Sequence, residues 1–123
     1  MRIVTYNLNS IRARLPSLLA WLGRVQPDVV CLQETKVVDE DFPLADIESA
    51  GYQAAVLGQK TYNGVAILSR TEISDVLRGM DDGDPDEQAR IIAGTVEGSR
   101  VISAYIPNGS EPSSDKYLYM RRW

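Results

Sequence analysis

Asp28-Val29-Val30-Cys31-Leu32 sets apolar residues on successive positions of a run whose β-branching suits a strand. Side chains along a strand alternate between the two faces of its sheet, so a strand apolar at every position must be covered on both. That excludes a sheet with one face in water and calls for a layered fold. The surrounding segment "PDVVCLQETKV", from Pro27 to Val37, then turns abruptly to Gln33, the acid Glu34, Thr35 and the base Lys36. A carboxylate at the mouth of an apolar strand is costly unless it is paired, hydrogen-bonded or bound to a metal. The carboxyl ends of strands are also where open α/β sheets bind ligands. Taken alone, the segment equally allows Glu34 to have reached solvent as the cap of the next turn.

The neighbouring pattern supplies the layers. "RIVTYNL" alternates Ile3, Thr5 and Asn7 with Val4, Tyr6 and Leu8, as a strand does. Asn9 or Ser10 can cap a helix in which Leu15, Leu18, Leu19, Leu22 and Val25 recur at helical spacing, with Arg14 and Arg24 off the stripe. Proline is tolerated in the first helical turn, so Pro16 predicts a helix beginning close to Leu15. After the 28–33 strand come an acidic loop and a short helix with Pro43 in its first turn and Gly51 at its end. The runs "YQAAVLG", "GVAILS", "ISDVLRG", "ARIIAGTV" and "RVISAYIP" then read as short strands with antiparallel neighbours, "EGSR" forming one hairpin turn. The predicted order is β-α-β-α and then five strands, an α/β fold with a mixed sheet and its helices on one face. Ser113 or Ser114 can cap a further helix, "DKYLYMRRW". Its Tyr117, Leu118, Met120 and Trp123 need something to pack against, so the chain is expected to be a portion of a longer domain, leaving the inner face at Val65, Ile67, Ile102 and Ala104 partly uncovered.

Length and composition narrow the function. The 123 residues, 44% of them hydrophobic, suit one domain. Apolar runs such as Val65-Ala66-Ile67-Leu68 are too short to cross a bilayer and the N-terminus has no signal-peptide core, so a cytoplasmic location without a membrane partner is expected. The lone Cys31 lies in an apolar strand, where a thiol behaves as a small hydrophobe. The sequence contains no histidine, which excludes Ser-His or Cys-His nucleophilic catalysis and imidazole acid-base chemistry from this chain alone. The net charge of −4 conceals an uneven distribution. Residues 1–36 carry five bases against two acids, residues 37–89 three against twelve, and residues 90–123 five against three. The acid gathers in "MDDGDPDEQ" at 80–88, a solvated loop by composition, so either end of the chain can still offer a basic surface.

Asn7 and Glu34 each close a predicted strand, and a helical crossover between those strands makes them parallel, with their carboxyl ends side by side. An amide beside a carboxylate is a hard-oxygen pair that suits Mg²⁺, or is simply a structural hydrogen bond. Beyond this spacing, the ordered segments "YNLNSIRAR", "QPDVVCLQETKV", "GQKTYNGVAILSR", "ARIIAG" and "AYIPNG" resemble the exonuclease III family of DNA repair nucleases, which includes abasic-site endonucleases. The resemblance runs over essentially the whole chain. Family members are considerably longer, so residues 1–123 resemble the N-terminal portion of one such catalytic domain.

The resemblance implies a fold and a set of roles. The fold is part of a four-layer α/β/β/α sandwich, with this chain supplying mainly one mixed sheet with its helices. Glu34 matches the family's metal-binding glutamate, and Asn7 the asparagine beside the metal and the scissile phosphate. Asn9, a neutral amide here, falls where some relatives have a second acidic ligand. Tyr105 matches the tyrosine that hydrogen-bonds the phosphate under attack, although as a strand aromatic it would otherwise read as core. Arg12, Lys36, Lys60, Tyr62, Asn63 and Arg90 fall in segments that line the DNA groove in relatives; Asn63-Gly64 would otherwise read as a hairpin turn. The implied cofactor is Mg²⁺, with Mn²⁺ as a substitute, and the implied partner is double-stranded DNA, especially abasic sites or 3′ ends, with no protein partner. The family's water-activating aspartate, water-positioning asparagine and aspartate-histidine pair belong to later segments. The chain alone is therefore expected to be inactive. Rival readings are a superfamily phosphodiesterase for inositol phosphates or phospholipid heads, and a DNA-binding remnant without catalysis.

Overall fold

The computed structural model describes residues 1–59, 63–79 and 90–105. The expected run "MDDGDPDEQ" and the expected C-terminal helix lie outside the described residues. The chain opens with strand β1 (Ile3–Asn7), helix α1 (Ile11–Val25) and strand β2 (Val29–Gln33). A 3₁₀ turn at Asp39–Asp41 and helix α2 (Leu44–Ser49) follow. Strands β3 (Gln53–Leu57), β4 (Val65–Ser69), β5 (Ser74–Arg78), β6 (Ile91–Val96) and β7 (Ser99–Ala104) complete the described elements.

Helix α1 starts at Ile11, about a turn before the Leu15 start that Pro16 predicts, and carries Pro16 inside it. Proline has no N–H to return to the Arg12 carbonyl, so this start has to be stabilised from elsewhere. The loop leaving β2 does so. The Ser10 N–H donates to the Glu34 carbonyl at 2.8 Å and the Ile11 N–H to the Thr35 carbonyl at 3.0 Å. The Ser10 hydroxyl caps the helix by accepting from the Ala13 N–H at 3.4 Å, and Ile11 is fully buried. These contacts satisfy N–H groups that a helix start would otherwise leave unpaired.

The first sheet has the order β1-β2-β4-β3. β1 and β2 are parallel, with Thr5 opposite Cys31 and Asn7 opposite Gln33; β4 pairs antiparallel with both β2 and β3. This is the mixed sheet the crossover implies. The later strands do not all join it: β5, β6 and β7 form a second, antiparallel sheet. The described chain thus contributes strands to two facing sheets, the larger being the four-stranded mixed sheet that carries the helices. Glu97 and Gly98, at φ 49° and 79°, close the β6–β7 hairpin at the place "EGSR" marks.

The double covering of β2 is met by two cores. Val30 and Leu32 pack with Leu8, Ile11, Leu18, Leu22 and Ile47 beneath the helices. Val29 and Cys31 pack with Val65, Ile67, Ile92 and Val101 between the sheets. Val65 and Ile67 are therefore fully buried, contrary to the expected uncovered inner face, because the second sheet lies over them. Of the other two residues named with them, Ile102 on β7 is 39% exposed and Ala104 is half-buried; Ile3 on β1, the outer strand of the first sheet, is 48% exposed.

Candidate active site

Where β2 ends, the backbone leaves the sheet through an unusual series of left-handed residues. Asn9, Ser10, Glu34, Lys36 and Asn63 have φ of 50°, 92°, 54°, 58° and 54°, and Gly64 has 92°. Such conformations cost about 1–2 kcal/mol each for residues with a side chain, and they persist only where surrounding bonds fix them. Here the loops hold one another. The Thr35 N–H donates to the Gly64 carbonyl at 3.2 Å and the Lys36 N–H to the Asn63 carbonyl at 2.9 Å. Asn63-Gly64 is thus a brace on the Glu34–Lys36 loop, not the tip of a two-residue hairpin. A Cβ built on Gly64 would lie 2.1 Å from the Thr35 hydroxyl oxygen, and Thr35 is buried. Gly64→Ala is accordingly expected to destabilise the chain by more than the ~1–2 kcal/mol of the left-handed backbone alone, read from the urea midpoint.

This loop turns Glu34 toward the second sheet. The Tyr105 hydroxyl, just beyond β7, faces the Glu34 carboxylate. Hydrogen bonding toward that carboxylate is the largest cause raising the Tyr105 pKa above its ordinary value; burial and the negative charge of Glu34 add to it, and the positive charge of Arg90 opposes it. Tyr105 therefore stays protonated throughout the neutral range and remains a donor. Arg90 is tied to the same place, since its carbonyl accepts the Tyr105 N–H at 2.7 Å, and its buried Nε has no hydrogen-bond partner among the described residues. An acid and a neutral phenol thus come together where the two sheets end, near enough to the Arg90 guanidinium to feel its charge.

The other expected residues are distributed around this centre. Asn7 is exposed at the end of β1, next to β2, and its Oδ1 accepts the Asn9 N–H at 3.1 Å. The amide oxygen of Asn9 receives the Lys36 ammonium at 2.6 Å, so Asn9 is engaged with a cation of the protein itself. Arg12 forms an exposed ion pair with Asp41 at 2.9 Å, a contact worth about 0–1 kcal/mol and easily exchanged. The Asn63 amide donates to Gln59 at 3.0 Å. Lys60 and Tyr62 lie outside the described residues.

Sequence reasoning missed the polar residues beneath this surface. Gln33 is buried and bonds Thr5 of β1 and Ser103 of β7. The available signal was a glutamine at the last position of a strand otherwise apolar on both faces. Cys31, by contrast, is where the sequence puts it: burial pushes its thiol pKa up to about 11. At pH 8 its thiolate fraction is about a hundredfold below that of the unfolded chain, so labelling by a disulfide reagent is expected to be slower by at least that factor until denaturant is added. A separate small cleft, about 140 Å³ and lined by Leu22, Gln26, Tyr52 and Arg70, lies at the opposite end of the first sheet.

Residues 4–123 match the Endonuclease/Exonuclease/phosphatase family. The exodeoxyribonuclease III of Haemophilus influenzae is 40% identical over 113 residues, covering 89% of this chain and 42% of that protein. A 3′ phosphatase from Neisseria, solved with a product DNA hairpin, superposes on the whole chain with a TM-score of 0.87 at 43% identity. An AP endonuclease from Archaeoglobus fulgidus gives 0.86 at 42%, and the chain covers 48% of each of these two structures. The fold is that of the exonuclease III-type α/β sandwich, and the chain spans about half the length of the relatives it matches. With nearly every residue inside one match and whole-chain superposition on these nucleolytic relatives, the chain belongs to the Endonuclease/Exonuclease/phosphatase family.

Proposed function

We propose that residues 1–123 are the N-terminal portion of an exonuclease III-like catalytic domain that hydrolyses phosphodiester bonds of double-stranded DNA in base excision repair, as a 3′-to-5′ exodeoxyribonuclease and abasic-site endonuclease. The observation that carries this reading is the Tyr105–Glu34 hydrogen bond, with the charge of Arg90 beside it, at the shared end of two facing sheets. A carboxylate to hold a cation next to a protonated phenol and a guanidinium to hold an anion is a composition suited to a metal-bound phosphate.

Mg²⁺, or Mn²⁺ in its place, fits the donors present. Such an ion takes one or two protein carboxylates and completes its shell with water and phosphate oxygens. Glu34 supplies the carboxylate, and Asn7 a carbonyl oxygen with a lone pair left over after the Asn9 N–H. Asn9, holding Lys36, is better suited to fixing that lysine than to binding the ion. When bound, the ion would neutralise charge on the phosphate and on the departing sugar 3′-oxygen. With Glu34 engaged by the ion, the single Tyr105 O–H would turn from that carboxylate to a non-bridging phosphoryl oxygen and the Asn7 amide would donate to another, while Arg90 would offset their charge and Lys36 and Arg12 would meet flanking phosphates. Activation of the water falls to groups that the resemblance assigns to the second half of relatives.

Two binding measurements test the substrate class. Log affinity for an abasic duplex should fall linearly with log salt, and Lys36→Ala and Arg90→Ala should each make the slope shallower by about one unit. Arg12→Ala should do less, because Asp41 already holds that guanidinium. A salt-independent complex would contradict the groove assignment. Unlabelled abasic duplex should displace the labelled duplex, whereas an inositol phosphate should not; the reverse order would favour a phosphodiesterase for phospholipid heads.

A further inference from the structure

Asn7 closes β1, Glu34 directly follows β2 and Tyr105 directly follows β7, and one buried side chain touches all three strands. Gln33, 8% exposed, directly precedes Glu34 at the end of β2. Its Nε2 lies 3.0 Å from the Thr5 hydroxyl of β1 and 3.2 Å from the Ser103 hydroxyl of β7; Oε1 lies 3.2 Å from Thr5. Thr5 is two residues before Asn7, and Ser103 two residues before Tyr105. Since side chains alternate along a strand, residues two apart share a face, so fixing Thr5 and Ser103 sets the direction in which Asn7 and Tyr105 project.

The chemistry specifies an amide. The Ser103 hydroxyl donates to the Leu32 carbonyl at 2.9 Å, so it presents lone pairs to Gln33. The Cys31 carbonyl, 3.2 Å from Nε2, does the same. Whatever faces these two oxygens has to donate, while the Thr5 hydroxyl can complete the remaining lone pair on Oε1. A carboxylate would set oxygen against oxygen, and an aliphatic side chain would leave the Ser103 and Thr5 hydroxyls without this partner in an otherwise apolar inter-sheet layer. On the reading above, we propose that Gln33 is a positioning residue, whose amide locks the ends of β1, β2 and β7 together so that Asn7, Glu34 and Tyr105 meet at one point.

The test uses the 123-residue chain with Gln33→Leu, Ser103→Ala and Thr5→Val. Ser103→Ala removes the hydroxyl that ties Gln33 to β7, and Thr5→Val removes the one that ties it to β1 alone. The readout is the nuclear Overhauser contact between the Tyr105 ring and the Glu34 methylenes, with the contacts of the Cys31–Ile67 strand pair as the record of an intact sheet. Gln33→Leu and Ser103→Ala should lose the Tyr105–Glu34 contact while keeping the Cys31–Ile67 contacts, and Thr5→Val should retain both. If Gln33→Leu does not fold, Ser103→Ala decides. A Tyr105–Glu34 contact that survives Ser103→Ala or a folded Gln33→Leu would overturn the proposal, since a residue that only adds stability lowers the unfolding midpoint without moving that contact. Mn²⁺ binding, followed by the electron paramagnetic resonance of the free ion, separates the two readings. Absence of Glu34-dependent binding in the unsubstituted chain would count against the metal site, whereas the lock stands or falls on the contact.

Discussion

Glu34→Gln, made in a chain that joins residues 1–123 to the second half of a relative such as the Haemophilus influenzae exodeoxyribonuclease III, is expected to lower Mg²⁺-dependent cleavage of an abasic duplex by about a hundredfold to a thousandfold. The substitution keeps the size of the side chain, and its amide oxygen can still accept from Tyr105. What it removes is the negative charge that would hold the cation. Affinity for the duplex, carried by phosphate contacts from Lys36, Arg12 and Arg90, should remain largely intact. Equal cleavage by both forms at low Mg²⁺ would remove Glu34 from the mechanism.

The second large effect concerns residues 1–123 expressed alone. They are expected to nick an abasic duplex at a rate far below that of the joined chain, because groups that position the water and those that stabilise charge at phosphorus act as a unit, and separating them forfeits most of the acceleration. The same chain should self-associate. Ile3 and Ile102 are exposed on β1 and β7, and both strands are outermost among the described strands of their sheets. An outer strand with apolar side chains is a template for pairing with another chain. Nicking is followed against Mg²⁺ concentration, and sizing of the purified chain runs alongside. A monodisperse monomer with robust, Glu34-dependent nicking would mean that acids within residues 1–123 complete the site.

The elements that rest on local pattern were legible in the sequence. β2 declared its double covering, α2 its bounds through Pro43 and Gly51, and the β6–β7 hairpin its turn at Glu97-Gly98. The elements that rest on distant partners were not. Pro16 argues for a late helix start only while the donors at Ser10 and Ile11 lack the Glu34 and Thr35 carbonyls, which no local window contains. The division of the later strands into a second sheet likewise depends on long-range pairing, since β5, β6 and β7 carry the same short β-prone signal as β3 and β4.

The candidate site divides in the same way. Glu34 stood out because a carboxylate closing an apolar strand demands a partner, and Tyr105 is that partner. The setting of Asn9 was not legible by position: its amide oxygen accepts from the Lys36 ammonium, and both residues have positive φ. Gln33, Thr5 and Ser103 carry no motif of their own, and only the meeting of three strands shows what they do.

The most direct test of the central claim is the position of the metal. Crystals of the joined chain, grown with Mn²⁺ and an abasic duplex, should give an anomalous difference peak within coordination distance of the Glu34 carboxylate, with a phosphate oxygen completing the shell and the Tyr105 hydroxyl on the same phosphate. A peak away from Glu34, or a phosphate bound without contact to Tyr105, would contradict the account.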